Sequence, residues 1–98
     1  MPYIDPIRRA LIDSVVTDLI TSLRESPAVA EKRAGCLNYV VTRLLIAMYD
    51  KPSYADYNEA LGVLEAAKME FYRRRVAAYE DAKIAEMGDV YPEGLDRS

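Results

Sequence analysis

The sequence predicts an all-α fold: a three-helix unit with a long C-terminal helix, assembled into a homo-oligomer. Three observations predict it. Apolar residues recur at three- and four-residue spacings in three stretches, the pattern of amphipathic helices. Ser26-Pro27 and Asp50-Lys51-Pro52 separate those stretches, and no pair of strands is available to form a sheet. The last stretch, 53–88, would make a helix roughly 50 Å long. A domain of about 100 residues has a radius of gyration near 13 Å. Such a helix must bend, project, or pack against another chain.

The first helix is expected over 6–24. Asp5 is placed to cap it and Pro6 to open it, since proline has no amide to leave unsatisfied there. Leu11, Ile12, Val15, Val16, Leu19 and Leu23 then form one apolar stripe, with Asp13, Ser14, Thr17, Asp18 and Thr21 opposite. Ser26-Pro27 breaks the run. Residues 28–33 read either as a helical turn or as the ragged start of the next helix, with Gly35 marking a bend. The second helix, 34–49, carries Leu37, Val40, Val41, Leu44, Leu45 and Met48 on one face and Tyr39 and Ile46 on the other. Apolar nearly all round, it needs cover on both sides, and a second subunit supplies one of them.

The third helix is expected over 54–87, antiparallel to the second across a short connection. Ser53 can accept from the first-turn amides and Asp56 suits the positive end of the helix dipole. Gly88 is placed to end it in a left-handed conformation. One helical domain over 1–88 and a polar tail over 89–98 result, with Val90 and Tyr91 able to dock on the bundle.

The bulk numbers exclude several functions. Net charge is −3, whereas general nucleic-acid binders are strongly basic. Histidine is absent, which removes imidazole catalysis, the usual triads and most zinc sites. Cys36 is the single cysteine, consistent with a reducing compartment and a buried structural thiol. With no leader and no apolar run of membrane-spanning length, the expected location is cytoplasmic, away from the membrane.

The one specific candidate site lies on the third helix. At about 100° per residue, Ala60, Leu64, Ala67, Phe71, Ala78 and Ala82 share the apolar stripe. Along one edge run Tyr57, Leu61, Lys68, Tyr72, Arg75 and Tyr79. Tyrosine rings can stack on bases and guanidinium groups can fork onto phosphate, so Lys68, Tyr72, Arg75 and Tyr79 make a candidate anion-binding strip. The plainer reading is that Lys68 and Arg75 extend from the core edge to acids such as Asp18 or Asp50. For Arg73-Arg74-Arg75 as a whole, a solvated face with pairs such as Glu70–Arg74 outweighs an anion patch.

Catalytic patterns fail on inspection. Tyr79 and Lys83 have a Tyr-x-x-x-Lys spacing without the Gly-rich strand–turn–helix that would give it meaning. Paired Glu-x-x-Glu magnesium motifs are broken, because Gly62, Lys68 and Arg73 stand third after Glu59, Glu65 and Glu70. Asn38 and Thr42, one turn apart, are expected to satisfy a buried contact rather than bind a ligand. No enzyme, metal site or cofactor is expected.

The blocks LNYVVTRLL, KMEFYRR, AYEDAKIAE and GDVY together resemble a family of short proteins of unknown function from bacteria, archaea and tailed phages. The resemblance covers about 37–91, with a weaker PYI start at 2–4. It implies no activity. It does imply a kink in relatives that carry proline where this chain has Ala78. Phage occurrence suggests an analogy with small phage proteins that sequester nucleotide-type immune signals. The resulting expectation is a non-enzymatic homo-oligomeric binding protein that holds a small anionic, nucleotide-like ligand at a subunit interface. A structural or adaptor protein, such as a virion component, is the alternative.

Overall fold

The computed structural model describes residues 2–92, which are helical and contain no strand. Helix α1 is Pro6–Arg24, α2 is Pro27–Glu31, α3 is Arg33–Met48 and α4 is Tyr54–Phe71. A π-helical segment, Tyr72–Val76, joins α4 to α5, Ala77–Met87. Where one helical domain was expected over 1–88, the chain forms two compact units, Met1–Gly62 and Val63–Ser98. The end of the expected polar tail, 93–98, lies outside the described residues.

Local chemistry sets most helix ends. Asp5 Oδ1 accepts from the Arg8 amide at 2.9 Å, and its second oxygen pairs with the Arg8 guanidinium. That backbone hydrogen bond, then the guanidinium, holds the Asp5 carboxyl below the usual carboxylate range. Ser26 Oγ caps α2 by accepting from the Val29 amide at 3.3 Å. Ser53 Oγ does the same for the Asp56 amide at 3.4 Å. Residues 27–31 therefore form a helix of their own. Gly35 marks no bend: it lies inside α3, which starts at Arg33 without a side-chain cap.

The first unit is built by α1 packing on α2 and α2 on α3. Tyr49, at the end of α3, hydrogen-bonds to Glu59 on α4, and that carboxylate pushes the phenol upward. The buried contact expected of Asn38 and Thr42 is not made: both are exposed, and the Thr42 hydroxyl donates to Asn38 Oδ1 at 3.1 Å. The closed three-helix core expected from the stripes is not formed. Among the described residues only Ala60 is buried, at 8% exposure. The α1 stripe stays open, with Leu11 at 76% and Val15 at 68%, and so does Leu44 on α3. Each stripe is wide enough to need a partner surface, and short α2 cannot cover the length of either neighbour. Cys36 is half-buried and free rather than fully enclosed.

Candidate functional site

The second unit holds the residues that carry the predicted strip, and the π segment decides how they are arranged. In a regular α-helix, Tyr79 would lie about 20° from Tyr72, and Glu80 about 80° from it. A π turn inserts one extra residue, seen here as the Ala77 amide donating to the carbonyl of Tyr72, five residues back. Everything beyond it is turned by one residue. The Tyr72 hydroxyl accordingly donates to Glu80 Oε1 at 2.8 Å, eight residues along. Glu80 takes the place that an uninterrupted helix would give to Tyr79.

The strip expected at Lys68, Tyr72, Arg75 and Tyr79 is therefore divided. Lys68 Nζ lies 3.5 Å from Glu65, on its own helix, rather than reaching Asp18 or Asp50. Tyr72 is committed to Glu80. The Tyr79 ring lies under the Lys83 ammonium, 5.5 Å from it. Arg73 pairs with Glu70 at 2.6 Å, and Arg74 approaches the same carboxylate at 3.9 Å. Arg75, exposed on the π segment, makes no ion pair among the described residues. Of the four strip residues, Tyr72 lines the groove along α5.

That groove has a volume of about 480 Å³ and runs along α5. Ala77, Glu80, Ile84 and Met87 present one helical face to it, and Val90 and Tyr91 close its far end. Gly88 makes the closure possible. Its φ of 90° and ψ of 151° lie in a region open essentially to glycine. This is an extended mirror conformation, not the left-handed helical one expected at that position. Asp89 then accepts from the Tyr91 amide at 3.0 Å, a tight Asx turn that points the chain back. Val90 and Tyr91 remain exposed, at 90% and 65%, rather than docked on a bundle.

The groove is acidic. Glu80, Asp81 and Asp89 line it against Lys83, whose ammonium is shared with Glu86 at 3.6 Å. The Glu80 hydrogen bond, followed by its negative charge, pushes the Tyr72 phenol above its ordinary value. At neutral pH Tyr72 is a proton donor held by a carboxylate, not a nucleophile. An anion would meet repulsion here, whereas it would meet a free cation at Arg75. Sequence reasoning missed the Tyr72–Glu80 pair because it assumed one helical period throughout. The one hint was the kink implied for relatives with proline at the position of Ala78, a stop that alanine removes from this chain. Among the described residues no cluster of acids or cysteine is arranged to hold a metal ion, and no helix is long and apolar enough to cross a membrane.

With this geometry, the comparison that decides the family is a match over residues 1–90 to a domain of unknown function, DUF6899. The chain belongs to the DUF6899 family. Comparison with curated proteins and with solved structures found no match for either. The matched region of this DUF6899 domain includes the first unit, the second unit as far as Val90, and the π segment.

Proposed function

We propose that this DUF6899 protein is a non-catalytic helical binding protein that works in the cytoplasm as a homo-oligomer, in a bacterial, archaeal or phage setting. The observation that carries this reading is the open state of its apolar faces. Ala60 is the only buried residue among the described residues, while Ile12, Val16, Leu19, Val41, Leu44 and Ile46 are all exposed. Apolar surface contributes about 25 cal/mol per Å² when removed from water, and a chain this small has few other sources of stability. Further copies of the chain supply the missing cover.

The ligand in this reading is a small nucleotide-like anion held at a subunit interface, with Arg75 as its anchor. Support comes from the contrast within the arginine run: Arg73 and Arg74 share Glu70, and Arg75 has no such carboxylate. Lys68, Tyr72 and Tyr79 would have to exchange their present partners to join it. That same observation favours the second reading, an adaptor or structural protein with no small ligand, in which the exposed tyrosines anchor a protein partner.

Native mass spectrometry of the freshly purified protein tests both. The proposal expects a discrete oligomer with a co-purified anion, or one that a panel of cyclic and linear nucleotides stabilises in a thermal-shift assay. Arg75→Ala should abolish that shift. A discrete oligomer that no nucleotide stabilises leaves the adaptor reading standing and removes the ligand. A monomer at all concentrations removes the homo-oligomer.

A further inference from the structure

We propose that α1 is the self-association surface, pairing antiparallel with α1 of a second copy about a two-fold axis. The inference rests on the homo-oligomer reading and names its interface. The pattern on α1 is self-complementary. In the antiparallel register that faces Ile12 with Leu23 and Val16 with Leu19, every seam position meets an apolar side chain. Val15 flanks the seam on one side and Ile20 on the other. Short α2 packs on α1 and Leu23 is half-buried, but Ile12, Val15, Val16, Leu19 and Ile20 stay exposed.

Charge supports the same register. In antiparallel helix pairs the equivalent flanks of the two helices adjoin, so Asp13 of each copy comes beside Arg24 of the other. Neither residue has an ion pair within the chain among the described residues. Arg24 also lines a groove of about 350 Å³ with Ile20, Leu23, Val29, Arg33 and Leu37. In this register Ile12 of the second copy meets the groove at Leu23, and its Asp13 lies beside Arg24. Asp18 falls on an outer position, toward solvent. A two-fold pair uses each groove once and closes on itself.

A single helix face is a small contact, toward the lower end for a specific interface. Such a contact gives a dimer that dilution and single charges can shift.

The test uses the full chain, with association followed by native mass spectrometry and sedimentation. Asp13→Arg and Arg24→Asp should each raise the dimer dissociation constant about three- to tenfold, the scale of a charge pair made twice. The double reversal should return it to within about twofold of the starting value. Val16→Glu should abolish dimers, with helix content checked by circular dichroism. In a Cys36→Ala background, spin labels at Thr17 should lie close together across the axis. Labels at Ala10 should be offset by about 22 Å along the helix direction. A dimer with equal separations at both sites, or one indifferent to all three substitutions, overturns the α1 pairing and leaves the homo-oligomer standing. A chain monomeric at every concentration overturns both.

Discussion

The Tyr72 hydroxyl donates to Glu80 at 2.8 Å across a π turn, joining two residues that a regular helix would point apart. This bond spans the junction between α4 and α5, so it ties α5 to the first residue of the π segment. Tyr72→Phe and Glu80→Gln should each lower the protection of α5 amides, 77–87, against hydrogen exchange severalfold, with α1 unaffected. The double substitution should cost no more than the larger single one, because one bond is lost in all three.

The same bond gives a pH dependence at the alkaline end. Glu80 raises the Tyr72 phenol above its ordinary 10.0 in the folded chain. The folded state therefore holds the proton more tightly than the unfolded state. Its contribution is fully present below pH 10.0 and disappears as pH rises through the folded value. Titration of phenolate absorbance should show one tyrosine ionising later in the native protein than in Tyr72→Phe. Tyr49, raised in the same direction by Glu59, should behave likewise.

Asp5 gives the opposite sign at the acid end. Its carboxyl is held below 3.8 by the Arg8 amide first and the guanidinium second. That contribution is present above pH 3.8 and is lost as pH falls through the lower folded value. Asp5→Asn keeps a capping oxygen but has no charge, so it should remove the acid-limb slope while retaining most of the α1 helicity. Asp5→Ala should lose both, as read by far-ultraviolet circular dichroism across the acid range.

Gly88 should resist every substitution. With φ at 90° and ψ at 151°, alanine there costs about 1–3 kcal/mol. Asparagine, often tolerated in left-handed helical positions, should do no better, because this ψ lies outside that region. Denaturant unfolding of Gly88→Ala and Gly88→Asn would measure it. A tolerated asparagine would mean the turn after α5 is a left-handed cap instead.

The π segment itself is testable by deletion. Removing Arg75 places the present Glu80 seven residues after Tyr72, where a regular helix would still align them. The shortened chain should keep the Tyr72–Glu80 bond and melt at a higher temperature, because the irregular turn is gone. If Arg75 anchors an anion, the same deletion should abolish any nucleotide-induced shift. Loss of α5 helicity on deletion would show that the inserted residue is structurally required.

The helix ends were legible because each is decided by neighbours a few residues away. Asp5-Pro6, Ser53 and Gly88 each act on amides or torsions within one turn, so the residue types alone locate them. Ser26-Pro27 was legible as a break, yet the short α2 behind it was not distinguished from a ragged start. Asn38 and Thr42 pair with each other on an exposed face instead of making the buried contact expected of them, because one turn of helix already brings the two side chains together.

What the sequence by itself determined about this protein is its all-helical class, its three main helices and the absence of imidazole chemistry. Those follow from periodicity, caps and composition, which are properties of the linear chain. Only the tertiary structure decided which faces meet. The apolar stripes identify surfaces that seek cover without saying what covers them, and in the single chain they remain open. The strip of Lys68, Tyr72, Arg75 and Tyr79 was drawn by carrying one helical angle through 72–76. A π turn adds a residue there, so Glu80 reaches Tyr72 and Tyr79 turns toward Lys83. A one-residue change of register leaves composition and capping untouched, yet it rotates every side chain beyond it.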